Sequence, residues 1–165
     1  MMKKIIVCGG CFWGVEHYYK QLRGVINTEV GYTDGKSENP TYEEVCENSG
    51  HVEAVYIEYQ EEIISLTQIL DHFFRIVDPT QWNRQSHDIG KQYRNGFFFF
   101  TSKDQEFIGN YIEKMKINYH KPLQTFLLPA GPFYPAETMH QDYLDKNPSG
   151  YCHVNMGLAR KEELK

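Results

Sequence analysis

Between Val52 and Pro79 the spacing of apolar residues changes from every second position to every third or fourth. That change dictates a strand followed by a helix that must pack on it. Val52 to Tyr59 alternates, with Glu53, Val55, Ile57 and Tyr59 on one face and Val52, Ala54 and Tyr56 on the other. Leu66, Ile69, Leu70, Phe73 and Val77 then recur at helical spacing behind a capping Ser65, until Asp78-Pro79 stops them. Each element offers an apolar side that needs a partner, which requires layers of helix on sheet.

The same patterns predict a strand over Lys3–Val7, a helix over Cys11–Leu22 and a strand over Val25–Tyr32. A short helix over Thr41–Asn48 follows. A long polar loop over Asp78–Asn95 leads to a buried strand over Gly96–Thr101, whose Phe97–Phe100 is continuous phenylalanine. Ser102 and Gln105 make a capping box for a helix through Tyr119, with Phe107, Ile108, Tyr111, Ile112 and Met115 as its stripe. Phe126–Leu128 gives one more strand. From Pro129 the chain reads as mostly irregular, with a short helix near Glu137–Leu144. The first six large elements run β-α-β-β-α-β, the order of a split βαβ unit. The expected class is α+β: a ferredoxin-like two-layer α/β sandwich with a mostly antiparallel sheet, helices on one face and an irregular C-terminal segment over about 129–165. The 165 residues are expected to form a single domain.

Composition narrows the chemistry. Apolar residues make up 41% of the chain, enough for a core. The formal charge of −5 comes without a basic block, which argues against nucleic acid as the main partner. No apolar run approaches the roughly 20 residues that span a bilayer, and the run after Lys3-Lys4 breaks at Gly9-Gly10, too soon for an export signal. The chain is therefore expected in the cytoplasm, where its four cysteines stay reduced and more often mean chemistry than stapling.

Cys11 is the first of these. It follows a strand and a glycine pair and stands where the first helix begins, facing unpaired N–H groups and the positive end of the helix dipole. Both favour thiolate. The dipole lowers a thiol pKa by only roughly 0.2 to 1.5 units, so another group must complete the activation. Of the adjacent Phe12 and Trp13, about 100° apart around a helix, one enters the core and the other is left to wall an apolar site near the thiol.

Gly10-Cys11-Phe12-Trp13-Gly14 resembles the active-site signature of the A-type peptide methionine sulfoxide reductases. Further matches follow in order: Asn39–Cys46, Gly50–Val55, Asp78-Pro79-Thr80 with Asn83-Arg84-Gln85, and Asp88–Arg94. The resemblance implies that Cys11 attacks the sulfur of methionine-S-sulfoxide, free or in oxidised protein, releasing methionine and leaving a sulfenic acid. Cys152, in the coil Ser149–His153, would close a disulfide that thioredoxin reduces. It makes Glu53 the acid, Tyr42 and Tyr93 the hydroxyl donors to the sulfoxide oxygen, Asp88 a neighbouring polar contact, and Phe12 and Trp13 the pocket for the terminal methyl. No cofactor or metal is expected, and the chain is expected to be a monomer. On the residues alone, alternation leaves the face of Glu53 open, because the opposite face is also apolar. Burying one methyl is worth about 0.8 kcal/mol, so discrimination from plain methionine falls to donors left unpaired without the oxygen.

The sequence departs from the family pattern at Cys8, in the spacer between Cys46 and Gly50, at Thr138 and at Asn95. Two other chemistries stay open to the residues. Cys8-Gly9-Gly10-Cys11 is formally a dithiol motif, and Cys8, Cys11, Cys46 and His51 would suit a zinc site. His72 and His140 read as structural.

Overall fold

The computed structural model describes residues 1–47 and 49–165 and builds the chain around a six-stranded mixed sheet. Strand β1 (Met2–Gly9) leads through a tight turn into helix α1 (Phe12–Lys20), followed by β2 (Val25–Thr33), the short helix α2 (Tyr42–Cys46) and β3 (Val52–Gln60). Helix α3 (Leu66–Ile76) precedes a two-strand ladder, β4 (Arg84–Gln85) with β5 (Asp88–Ile89), and a 3-10 turn at Lys91–Tyr93. Next come β6 (Asn95–Phe99), α4 (Ser102–Met115), β7 (Phe126–Pro129), β8 (Phe133–Pro135) and α5 (Tyr143–Lys146). The expected Thr41–Asn48 helix is thus shorter, and its Asn48 end lies outside the described residues.

The large sheet has the order β7-β6-β1-β3-β2-β8. Its four central strands pair antiparallel throughout. Strand β8 adds antiparallel to β2, and β7 adds parallel to β6. The sheet is therefore mixed, because α4 carries the chain back along the sheet before β7 begins.

Helices α1, α3 and α4 supply the apolar cluster that covers Ile5, Val7, Val30, Val55, Ile57 and Phe97. The opposite face carries Ile6, Cys8, Val52, Ala54 and Phe98, packed against Phe126, Ala130 and Phe133. Alternation along β3 then assigns Glu53, in phase with Val55 and Ile57, to the helix-covered side. Ser65 starts α3 with both bonds of a capping box to Gln68, as its sequence predicts. For α4 the cap is Thr101, not Ser102: Thr101 is extended and its hydroxyl accepts from the Asp104 amide, while Lys3 pairs with the Asp104 carboxylate at 3.0 Å. Phe100 falls outside its strand and stays 37% exposed. The Asp78–Asn95 stretch is held by its own ladder and by Gln85, which is buried and bonds both the N–H and the C=O of Asp78. Among the described residues no helix is long and apolar enough to cross a membrane.

The 158–165 stretch is anchored on α3. Arg75 forks the Glu163 carboxylate at 2.8 and 2.9 Å and also donates to the Leu158 carbonyl. The Arg75 hydrogen bonds hold the Glu163 carboxyl at about 2. A group lowered in this way stabilises the fold above its unfolded pKa near 4.3, and the contribution is lost as the pH falls toward 2. Glu163→Gln is expected to lower the unfolding free energy by about 1 to 2 kcal/mol at pH 7. Urea unfolding at decreasing pH should show that difference shrinking.

Candidate active site

The strand-to-helix turn at the end of β1 presents Cys11 as the N-cap of α1. Gly10 takes a φ of +90°, and a Cβ there would stand 2.7 Å from that of Gln85, so the turn needs glycine for conformation and for space. Gln85 thereby seats the 78–95 loop against the cysteine turn. Cys11 makes no side-chain cap bond and is 8% exposed.

Beneath it lies Glu53, 1% exposed. Its Oε1 accepts from the Phe12 amide at 3.1 Å, at the first turn of α1, and its Oε2 has no partner. Burial pushes this carboxyl up to about 8, against the pull of the Phe12 bond, and the charge of Asp88 adds to the rise. Glu53 is therefore largely a neutral acid at pH 7, with one oxygen free to donate. Burial also holds the Cys11 thiol well above its ordinary range, with a further push from Glu53 and an opposing bond from the Trp13 amide. The helix end does favour thiolate, as its position predicts, but desolvation outweighs it in the resting site.

Phe12 turns inward and is fully buried, with its ring 5.6 Å from Tyr32 and 5.5 Å from His140. Trp13 faces a cleft of about 450 Å³ that it lines with Thr41, Tyr42, Glu137, Met139 and His140. Its indole stacks on Tyr143 at 3.8 Å and donates to His140 Nδ1 at 3.0 Å. Tyr42 and Tyr93 interact with each other and with the Glu53 carboxyl, and burial raises both phenols first, with the Glu53 charge next. Both are thus held as hydroxyl donors. Asp88 lies further out and accepts from the Tyr151 hydroxyl at 2.9 Å, which ties the 78–95 loop to the segment carrying Cys152.

Cys152 is half-buried beside α1: a Cβ on Gly14 would stand 3.0 Å from its Sγ. Gly14 is three residues from Cys11, so Cys152 packs against the first turn of the helix that Cys11 caps, and its charge adds slightly to the rise of the Cys11 thiol. Both are free thiols. Of the residues singled out in sequence, Trp13 and Tyr42 line the cleft, Glu53 reaches the first turn of α1 through the Phe12 amide and Tyr93 neighbours Tyr42. Cys152, by contrast, opens into a separate hollow with His17, Leu144, Pro148 and Met156, and Asp88 is joined to the Cys152 segment through Tyr151.

Sequence reasoning missed the support of this cleft. Glu137 accepts from the Tyr32 hydroxyl at 3.0 Å and from the Tyr42 amide at 3.1 Å, which docks α2 beside the site. His140, read from sequence as structural, is 2% exposed and packs against Phe12, Trp13 and Tyr42. Both belong to the Glu137–Gln141 stretch, which the sequence marks only by its departure at Thr138. Of the other cysteines, Cys8 is fully buried on the far face of the sheet, and Cys46 is exposed on α2 beside the Tyr42 hydroxyl. Both ring nitrogens of His51 are used by the Gly35 amide and the Ser37 carbonyl. No cluster of three or more His, Cys, Asp or Glu able to hold a metal occurs among the described residues.

Known proteins resemble this chain over nearly its whole length. Residues 3–165 match the family model described as peptide methionine sulfoxide reductase. Peptide methionine sulfoxide reductase MsrA of Clostridium acetobutylicum is 50% identical over 161 residues, covering 97% of this chain and 99% of that protein. Among solved structures, Mxr1 from Saccharomyces cerevisiae in reduced form superposes with a TM-score of 0.88 at 35% identity, covering 93% of this chain and 91% of that one. Mxr1 in complex with Trx2 matches at 0.62 and 27%, covering 86% and 84%.

Proposed function

The chain belongs to the peptide methionine sulfoxide reductase family, oxidoreductases acting on sulfur, and from that premise we propose that it reduces the S epimer of methionine sulfoxide through Cys11 and recycles through Cys152 and thioredoxin. One observation carries the chemistry: a buried carboxyl with a free oxygen stands under a cysteine at a helix N-terminus.

In this reading the sulfoxide enters the cleft with its methyl against Trp13, which the buried Phe12 backs through His140, its oxygen toward Glu53, Tyr42 and Tyr93, and its sulfur toward Cys11. Three fixed contacts to a chiral sulfur select one hand, and the S hand is carried over from the family. Cys11 thiolate attacks the sulfur while Glu53 places its proton on the oxygen. The sulfoxide oxygen ends on Cys11 as a sulfenic acid, and methionine leaves reduced by two electrons. The two phenols stabilise charge building on the oxygen and would be left unpaired by plain methionine, which lacks it. Cys152 then displaces hydroxide from Cys11, and the resulting disulfide goes to thioredoxin, as the Mxr1–Trx2 complex suggests for its own partner. Residues 1–165 act as one catalytic unit, and its central strands β1, β2, β3 and β6 form the ferredoxin-like part.

The test is turnover of separated S and R epimers of a blocked methionine sulfoxide with dithiothreitol. Turnover of S alone is expected; turnover of R, or of neither by folded reduced protein, overturns the reading. A second expectation concerns Gly14. Alanine there gains about 1 kcal/mol of helix propensity. Its methyl, however, would press on Cys152 Sγ and on Val154 Cγ2 at 3.0 and 3.1 Å. Gly14→Ala should slow thioredoxin-driven turnover severalfold without lowering the thermal midpoint, as paired activity and melting measurements would show.

A further inference from the structure

His153 follows the recycling cysteine and is the one side chain of its segment that bonds the backbone of the nucleophile's own turn. Its Nε2 lies 2.8 Å from the Gly9 carbonyl oxygen, which can only accept, so Nε2 carries the proton. The imidazole sits so close under the turn that a Cβ on Gly10 would stand 3.1 Å from Nε2. Its Nδ1 is buried without a partner. An unpaired buried nitrogen is destabilising, so packing alone gives no reason for an imidazole here.

The surrounding ties differ in kind. Tyr151 reaches Asp88 on the 78–95 loop, and Val154 packs on Gly14 of α1. The Cys152 thiol itself donates only to the Val154 carbonyl of its own segment, at 3.2 Å. The His153 bond alone ties the Cys152 segment to the backbone two residues before Cys11.

We infer that His153 is a positioning residue for recycling: its Nε2–H bond to the Gly9 carbonyl docks Cys152 on the turn that carries Cys11. The inference rests on the reading of Cys152 as the resolving thiol. In the step it serves, Cys152 sulfur attacks the sulfur of the Cys11 sulfenic acid. The S–S bond forms, the S–O bond breaks, and hydroxide leaves with the Cys152 proton as water. His153 exchanges no atoms; it sets the approach. Without the tie Cys152 samples more of the space around α1, and its effective concentration at Cys11 falls.

The test compares His153→Leu, which fills the space without a donor, with His153→Gln, whose amide N–H can reach the same carbonyl. Each reduced protein is mixed with one equivalent of methionine-S-sulfoxide in the absence of reductant. Methionine release reports the sulfoxide step, and loss of the second thiol reports disulfide closure. For His153→Leu, methionine release is expected within about twofold of wild type, with disulfide closure slowed about tenfold. His153→Gln should recover most of the closure rate. Unchanged closure in His153→Leu, or methionine release slowed as much as closure, overturns the inference. Cys152→Ser is measured alongside: turnover with thioredoxin at the wild-type rate overturns the reading of Cys152 and the inference together. Normal dependence on Cys152 with unchanged closure in His153→Leu overturns the inference alone.

Discussion

Cys11→Ser is expected to cut methionine formation by on the order of 10⁴-fold or more, the scale lost when a covalent nucleophile is removed. A serine hydroxyl is a far weaker nucleophile and has no accessible sulfenic state to receive the oxygen. Cys152 cannot replace the missing thiol, because it packs against Gly14 and bonds its own segment. The fold should survive. Cys11 is the N-cap of α1 without a side-chain bond to the helix, and serine is among the preferred residues at that position. The thermal midpoint is therefore expected to hold or rise by a degree or two. Chromatographic measurement of methionine with excess dithiothreitol, beside a melting curve, separates lost chemistry from lost structure. Activity above about one percent of wild type would place the nucleophile elsewhere.

Glu53→Gln is the second large effect. The amide keeps an oxygen for the Phe12 N–H and offers a donor toward the sulfoxide, but it has no proton to transfer. A loss of about 10² to 10⁴-fold in the sulfoxide step is expected. The pH profile identifies the cause. The reacting pair, thiolate with neutral carboxyl, holds one proton. Below about pH 8 the resting pair holds two, so the second-order rate at low substrate should rise about tenfold per pH unit. Above about 8 Glu53 ionises, the resting pair also holds one proton, and the wild-type rate should level off. In Glu53→Gln that break disappears, and the rate keeps rising with thiol ionisation. Rapid-mixing single turnovers from pH 6 to 9.5 would show it. A wild-type profile without a break near 8 would remove Glu53 from the proton transfer.

Much of this arrangement is legible in the sequence because it depends on local pattern. Cys11 at the start of α1 follows from a strand, a glycine pair and a helix in succession. The α3 helix follows from Ser65, Gln68 and its apolar spacing. The side of β3 that Glu53 occupies does not, since alternation gives two faces and only the packing of α1 and α3 chooses between them. Strand β8 is hidden for a different reason: it is three residues long with a proline at its end, and it exists only as an addition to β2. Thr101 and Ser102 both carry a hydroxyl three residues before a polar side chain, and the extended backbone at Thr101 decides which one caps. The 78–95 loop looks structureless in sequence because left-handed Asn83 and Ser86 let it close its own ladder. Glu137 and His140 escape notice because their partners Tyr32, Tyr42 and Trp13 come from three other elements.

The buried carboxyl at the centre of the site also sets a conflict for anyone evolving this protein toward heat resistance. A glutamate raised to about 8 in the fold favours folding fully below its unfolded pKa near 4.3. That advantage is lost as the pH rises to 8, so at neutral pH the folded chain carries a proton the unfolded one has released. A glutamine in its place carries no such burden. Selection for melting temperature alone at pH 8 should therefore enrich Glu53→Gln, with a midpoint several degrees higher and a gain that vanishes at pH 4. The same substitution should be purged by any selection that scores methionine, so stability and activity pull in opposite directions at one residue, and the pH of the screen decides how hard.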